Sequence, residues 1–460
     1  MGETVITKRA FLTAAAAAVV RPLTAESQPP NFVFIYADDL GYGDLGAYGS
    51  KMPTWNLNAM ARDGVRFGQF YSASPVCSPS RAALLTGRYP TRVGVPRVLF
   101  PNDTNGLPDS EATLAQVLKT RRYKTMCVGK WHLGSLPQYL PTNRGFDEFF
   151  GVPYSHDMSP LPLLHNTEIV EQPANLETLT LRYTEQALRF IAESKDSPFF
   201  LYFAHNVPHI PLVPSPRFRG VSGFGLYGDV VREMDWSVGW ILRALKHHGL
   251  AANTLVMFSS DNGPWYQGST GRLLGRKGET YEGGVRVPLI AYYPGRIPRG
   301  GFRRGVATTM DILPTLANLA GASLPAQPLD GVDIWPLLAG EREQVDREAF
   351  LYFDDWNVQC ARQGRWKLHM ARYNSFPWTP GPPGGRVNLP LVNPELYDLE
   401  VDPEEGYDVA RDNPATVADM RANVEQMLWT FPEQVRISWF DTMNRQVEWT
   451  PTGALPACKP

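Results

Sequence analysis

Two adjacent carboxylates, Asp38-Asp39, follow the apolar run Asn31 to Ala37. Side by side at a strand end they repel strongly unless a cation lies between them. Asp261-Asn262, followed by Gly263, ends the run Thr254 to Ser260 in the same way. Asp-Asp alone is most often a solvated loop pair. It is the shared placement after two apolar runs that favours a metal. Three carboxylates and an amide oxygen suit a hard cation such as Ca2+ or Mg2+. A third cluster is Cys77-Ser78-Pro79-Ser80-Arg81, extending through Leu84, Thr86, Gly87 and Arg88. Ser78 and Pro79 suit the cap and first turn of a helix. Cys77 then lies at a helix N-terminus, where the dipole favours an anion, and Arg81, one turn on, can point back to the same spot. Lys130 and His132 close the run Thr125 to Gly129, His205 and His209 follow Phe199 to Ala204, and Lys277 opens a glycine-rich stretch. Taken singly, these read as a surface lysine, a satisfied histidine and a solvated loop charge.

The elements that must position these residues are legible in the same pattern. Continuous apolar runs of this length read as strands buried on both faces of a parallel sheet. Helical segments alternate with them. Ser110 can cap a helix carrying Leu114, Val117 and Leu118. Leu181, Leu188 and Ile191 mark a second. Val231, Met234, Val238, Ile241, Leu242 and Leu245 mark a third, which Gly249 can terminate. Alternation of this kind implies a doubly wound α/β sheet, in which ligands bind beyond the carboxyl ends of the strands. The polar clusters are therefore expected to meet in one cleft. After about residue 340 the texture changes. Residues 350–354 and 365–369 are expected as paired strands, 381–385 as a loop and Ala415 to Leu428 as a helix. The expected division is a catalytic domain over 26–345 and a smaller α+β C-terminal subdomain over 346–460.

The 460 residues are 43% hydrophobic and 20% charged, with a formal net charge of −2. That balance offers no global basic field for nucleic acid. Lys8 and Arg9, an apolar stretch from Ala10 to Val20 and a small-residue site near Ala25 predict a cleaved signal peptide over 1–25. The stretch is too short to span a bilayer. Thr7 to Leu12 resembles a twin-arginine export signal with Lys in place of the first Arg. The chain is thus expected to be exported, to the periplasm or beyond, with no integral membrane segment. The four cysteines, Cys77, Cys127, Cys360 and Cys458, are not a disulfide framework. Cys127 is expected as a buried core thiol, and Cys360 and Cys458 could pair in an oxidising compartment. His247 and His248 complement a helix dipole, and His165 and His369 have no assignable partner.

The string around Cys77 resembles the signature of type I sulfatases, in which the cysteine is oxidised to formylglycine. A second signature of that family appears from Tyr123 to His132, with Arg122 where the family usually has Gly. The resemblance continues through Asp38-Asp39, Pro208-His209, Asp261-Asn262-Gly263 and Lys277-Gly278 to Pro288, spanning roughly residues 31 to 345. The run Gly151 to Asp157 resembles the arylsulfatase A and N-acetylgalactosamine-6-sulfatase branch.

The resemblance implies an alkaline-phosphatase-like fold and hydrolysis of a sulfated small molecule, sugar or lipid. It implies Ca2+ held by Asp38, Asp39, Asp261, Asn262 and the formylglycine at Cys77. Arg81 would hold the formylglycine hydrate, Lys130, Lys277 and His209 would surround the sulfate, His132 would act as base, and Asp261 would act near the leaving oxygen. Ser155 is a further candidate sulfate contact. A formylglycine-generating enzyme is the implied maturation partner. A hydrated aldehyde carries two hydroxyls, one to attack sulfur and one to expel sulfate afterwards, which no plain Ser or Cys offers. Two rivals differ in class. A phosphodiesterase or phosphonate hydrolase of the same superfamily commonly binds transition metals through extra His and Asp ligands, whereas Asn262 has no neighbouring His in sequence. A non-catalytic binding protein on this fold would be expected to have lost some of Cys77, Arg81, Lys130, His132, His209 or Lys277, and all are present.

Overall fold

The computed structural model describes residues 29–376, 378–379 and 384–446. The expected leader over 1–25 and the Cys360–Cys458 pairing lie outside the described residues. In chain order the first strands are β1 Asn31–Ala37, β2 Val65–Phe67, β3 Phe70–Tyr71, β4 Lys124–Lys130, β5 Glu148–Val152, β6 Leu163–His165, β7 Glu168–Glu171 and β8 Phe199–Ala204. There follow β9 Thr254–Ser260, β10 Leu289–Tyr292, β11 Gly301–Arg303, β12 Ala307–Thr308, β13 Phe350–Asp354, β14 Asn357–Gln363, β15 Trp366–Tyr373 and β16 Asn388–Asp398.

Ten of them form a central sheet in the order β11-β2-β10-β9-β1-β8-β4-β5-β6-β7. The inner five, β9-β1-β8-β4-β5, are parallel, and antiparallel strands flank them on both sides. The four apolar runs are thus adjacent, as their two-faced hydrophobicity requires. Along β1 the side chains alternate between two cores. Phe32, Phe34 and Tyr36 join one, while Val33, Ile35 and Ala37 join the other, as the period of two dictates. The register pairs Ala37 with Ser260 and Tyr36 with Ala204. The polar residues after β1, β8 and β9 therefore emerge at one edge of the sheet.

Local expectations hold in part. The helix Leu114–Lys119 is capped by Thr113, not Ser110: Thr113 Oγ1 accepts from Gln116 N–H while the Gln116 side chain bonds back, a capping box. In the helix Leu176–Glu193 the buried face is Leu179, Tyr183, Ala187, Phe190 and Ile191, and Leu181 is exposed, because the core lies on the neighbouring stripe. The helix Gly225–His247 buries Val231, Met234, Val238, Ile241 and Leu245, and Gly249 follows it at φ +73°. Arg122, in the place the family usually gives to Gly, holds φ +62°, a conformation glycine adopts without strain.

The C-terminal sheet is antiparallel in the order β13-β14-β15-β16. β13 and the 365–369 segment are not direct partners, because β14 runs between them. Its sequence hides it, since buried Gln359 and Arg362 interrupt the apolar pattern. Their polar groups are satisfied within the fold: Gln359 bonds Thr280 at 2.9 Å and Arg362 bonds Gly364 O at 3.0 Å. The helix Pro414–Leu428 is present as expected, and Glu433–Met443 is a further one. Tyr71, Tyr89, Val285 and Met310 share one core with Phe350, Tyr352, Leu368 and Val424, so the C-terminal sheet packs directly on the larger unit.

A buried ion network ties the two units together. Lys367 Nζ lies 3.0 Å from both Glu282 and Glu405, and His369 Nε2 is 2.7 Å from Glu405. Glu405 also accepts the Glu282 backbone N–H at 2.6 Å. His369 therefore has a partner, Glu405, which sequence separation concealed. Burial pushes the Glu405 carboxyl up, but Lys367 and His369 outweigh it and hold it at about 2 against an ordinary 4.5. A depressed carboxyl stabilises the fold above its unfolded pKa, and that contribution is lost as pH falls toward 2. Glu405→Gln is expected to cost about 3 kcal/mol at pH 7 and to flatten the decline in urea midpoint between pH 5 and 3. An unchanged midpoint at pH 7 would refute this.

Candidate active site

The helix Cys77–Thr86 begins at Cys77 itself, after extended Val76 and without a side-chain cap. Ser78, expected as the cap, instead accepts the Leu99 N–H at 3.1 Å. Gly87 closes the helix at φ +69°. All ten helical residues are buried, so the helix delivers Cys77 and Arg81 into the interior rather than to the surface.

Arg81 is the central clamp. Its Nε and Nη2 donate to Asp261 Oδ2 at 3.1 and 2.7 Å, and Nη1 donates to Lys130 O at 3.0 Å. Nη2 is also 3.6 Å from Asp38 Oδ1. Lys130 Nζ lies 2.6 Å from Asp38 Oδ2 and 3.1 Å from Ser155 Oγ. Lys277 Nζ lies 2.8 Å from Asp39 Oδ2. His209 Nε2 is 3.7 Å from the same oxygen, and Cys77 Sγ is 3.6 Å from Asp38 Oδ1. His132 Nε2 is 2.9 Å from Leu99 O. A carbonyl only accepts, so Nε2 carries the hydrogen of the neutral ring and Nδ1 carries the lone pair. That Nδ1 has no partner among the described residues. Asp39 and His132 both hold left-handed backbone, at φ +63° and +61°, a conformation that non-glycine residues keep only where the surroundings impose it.

Burial and neighbouring charge set the protonation. Burial pushes the Cys77 thiol up to about 12, so the unmodified residue is a protonated thiol at neutral pH and a weak nucleophile. Burial raises the Asp38 carboxyl, but Lys130, His209, Arg81 and Lys277 together hold it well below the usual range. Burial and the charge of Asp38 lift Asp261 to about 7 in spite of Arg81. Burial, Lys130 and Arg81 keep His132 neutral.

Every site residue expected from sequence is brought to this one location. Asp39, Cys77, His132, Ser155, His209 and Lys277 line a single cavity of about 300 Å³, with Asp38, Arg81, Lys130, Asp261 and Asn262 buried around it. The donor set fits a hard cation. Asn262 Nδ2 is engaged by Asp39 Oδ1 at 2.8 Å and Gly263 O at 2.9 Å, which leaves Oδ1 buried and without a partner among the described residues. Asp38, Asp39 and Asp261 are buried in the same cluster, and a set of carboxylates and an amide oxygen suits Ca2+. One premise drawn from sequence needs correction. No histidine adjoins Asn262 in the chain, yet folding brings His156 and His209 within 4.8 Å of a ligand atom of Asp38. His156 was not singled out from the sequence, although it adjoins Ser155; its ring packs edge-on against His209 at 5.5 Å. Trp265, Trp378 and Phe100 also line the cavity, and nothing local in the sequence marks them.

Arg81→Lys is expected to lower kcat/KM by about 10²-fold, because a single ammonium cannot hold Asp261 and the Lys130 carbonyl together. Activity within threefold of the parent would show that the fork is dispensable.

A buried cysteine at a helix N-terminus, beside an arginine and paired carboxylates at the ends of parallel strands, lies in an alkaline-phosphatase-like fold. The comparisons specify the family. The Sulfatase family model matches residues 30–322, and one described as N-sulphoglucosamine sulphohydrolase, C-terminal, matches 276–434. Arylsulfatase A of Homo sapiens is 42% identical over 84% of each chain. N-acetylgalactosamine-6-sulfatase of Rattus norvegicus is 41% identical over 75% of this chain and 72% of that one. The crystal structure of the PsFucS1 sulfatase from Pseudoalteromonas sp. superposes with TM-score 0.79 at 28% identity, covering 88% of this chain and 91% of that one. The phosphonate monoester hydrolase of Agrobacterium radiobacter shares the fold at TM-score 0.62 and 21% identity over 89% of this chain and 95% of that one. The chain belongs to the sulfatase family. It is a sulfuric ester hydrolase that cleaves sulfate esters to an alcohol and inorganic sulfate. Among the described residues no helix is long and apolar enough to cross a membrane.

Proposed function

We propose that this sulfatase acts through a formylglycine made from Cys77 by a formylglycine-generating enzyme, with one Ca2+ held by Asp38, Asp39, Asp261, Asn262 and residue 77. The hydrated aldehyde supplies a hydroxyl nucleophile with a second hydroxyl on the same carbon, and the cation supplies positive charge beside the sulfate oxygens. The reading is carried by the placement of Lys130 and Lys277, each on a different carboxylate and both beside Cys77. Two ammonium groups so placed would offset the charge of a tetrahedral anion, and Asp38 and Asp39 would hold the cation. His209 adds a third polar contact, and Ser155 Oγ, already bonded to Lys130, a fourth. The free Nδ1 of His132, in the same cavity as residue 77, supports a role as base toward it. Asp261 offers both oxygens to donors, Oδ2 to Arg81 and Oδ1 to the Asp39 N–H at 3.1 Å. Its position supports cation binding more than proton transfer to the leaving oxygen.

The relatives' names, arylsulfatase A and N-acetylgalactosamine-6-sulfatase, point to aryl or sugar sulfate esters. The proposed organisation keeps the signal peptide over 1–25, the catalytic domain over 26–345 and the C-terminal subdomain over 346–460, with the chain exported. The test of the chemistry is peptide mass spectrometry over Ser74 to Arg88. An aldehyde is expected in place of the thiol, with turnover of 4-nitrophenyl sulfate proportional to the aldehyde fraction. Full activity from protein carrying only the Cys77 thiol would overturn the proposal.

A further inference from the structure

We propose that the outer face of the helix Gly225–His247 docks the protein on a membrane surface rich in anionic headgroups. None of its residues lines the catalytic cavity, so the face is separate from the reaction. Between Arg217 and His248 the chain carries three acidic residues, Asp229, Glu233 and Asp235, and all three are buried. Each is used by the fold. Asp229 accepts the Gly220 and Ser222 N–H groups at 2.7 and 2.9 Å. Glu233 accepts the Ser215 N–H at 2.9 Å, and Asp235 the Asn56 and Leu57 N–H groups at 3.2 and 2.8 Å. The basic residues of the same stretch turn outward. Arg217, Arg243 and Lys246 are exposed and make no ion pair among the described residues. A chain with a net charge of −2 thus presents a locally basic face.

Aromatic rings fill the spaces between these charges. Arg232, Trp236, Trp240 and Arg243 follow one another at intervals of four, four and three residues, which is one stripe of a helix. The Arg232 guanidinium lies 4.1 Å from the ring centroid of Trp55, at the head of a neighbouring helix, and Arg243 lies 4.4 Å from Trp240. Arg217 lies 5.4 Å from Trp236. Trp236 packs on Trp240 and on Phe218, with centroids 6.2 and 5.6 Å apart, so the patch is continuous. Trp55 and Trp240 are 64% and 41% exposed. Val221, Phe224 and Leu226, where the chain enters the helix, are exposed as well. Indole rings beside guanidinium groups suit the boundary between headgroups and acyl chains, apolar on one side and wet on the other. Each unpaired cation adds attraction to an anionic leaflet. A soluble sulfated polymer fits less well, because its sugar rings would need the flat faces of the indoles, and a guanidinium already lies over one face of Trp55, Trp236 and Trp240. A second copy of this chain docked about a twofold axis would set the same arginines against one another.

The experiment is cosedimentation of the full chain with vesicles of phosphatidylcholine alone and of phosphatidylcholine mixed equally with phosphatidylglycerol. Partitioning onto the anionic vesicles is expected to exceed that onto the neutral ones by about tenfold or more and to weaken as salt is added. The double variant Arg217→Gln/Arg243→Gln changes exposed side chains alone and is expected to lose about tenfold of that partitioning. Trp240→Ala is expected to weaken it severalfold through the lost indole. If the urea midpoint shows that the tryptophan variant does not fold, the arginine pair decides alone. The readout is binding, so it stands apart from the sulfatase chemistry. No binding, equal binding to both vesicles, or undiminished binding by the double variant would overturn the proposal. Binding to dextran sulfate without binding to vesicles would also overturn it and give this face to a soluble polyanion.

Discussion

Cys77→Ala is expected to reduce turnover of 4-nitrophenyl sulfate by on the order of 10⁴-fold or more while leaving the fold intact. The residue sits at the head of a fully buried helix, and its sulfur makes one weak contact, 3.6 Å from Asp38. Alanine removes that atom, suits the helix and costs about 1 kcal/mol or less. Arg81, Lys130 and Lys277 keep their carboxylate partners, so the anion pocket survives. The result separates chemistry at residue 77 from chemistry by a metal-bound water, since the cation site loses at most one ligand. The measurements are kcat on the aryl ester and the urea midpoint of both proteins. Turnover within tenfold of the parent would place the nucleophile elsewhere.

Asp39→Asn is expected to lower calcium affinity by on the order of 10²-fold and kcat/KM by about 10³-fold. Asp39 accepts Lys277 on one oxygen and Asn262 on the other. An asparagine must present its NH2 to one of these two donors, so a buried donor is left facing another donor. The substitution retains the side-chain shape and the tolerance of φ +63°, so backbone strain does not confuse the outcome. Equilibrium dialysis with calcium, alongside kinetics at saturating calcium, tests both halves. One tightly held calcium per chain together with parental activity would remove Asp39 from the proposed cation site.

Much of the site was legible because its residues follow strands. Asp38, Lys130 and Asp261 each come at or just after the end of an apolar run, and the parallel register turns that shared position in sequence into a shared edge in space. Helix starts were legible less reliably. Thr113 outcompetes Ser110 through a reciprocal bond to Gln116, and Ser78 is drawn to the Leu99 N–H by a tertiary contact. β14 is hidden in the sequence because Gln359 and Arg362 are buried with polar partners supplied from elsewhere in the chain, Thr280 for the first and Tyr71 and Gln69 for the second.

The sequence by itself determined the four buried parallel strands and the cysteine at a helix head, since each depends on periodicity or spacing within a few residues, while Lys130, His132, His209 and Lys277 were marked by the family resemblance. Only the tertiary structure decided the rest. The pairing of Lys130 with Asp38 and of Lys277 with Asp39, the approach of His156 to His209, the clasp of His369, Lys367 and Glu405 on Glu282, and the reach of Trp378 into the catalytic cavity all join residues far apart in the chain. The physical reason is that such contacts are set by the register of strands and the docking of one sheet on another, and their energies arise only once burial has removed the competing water.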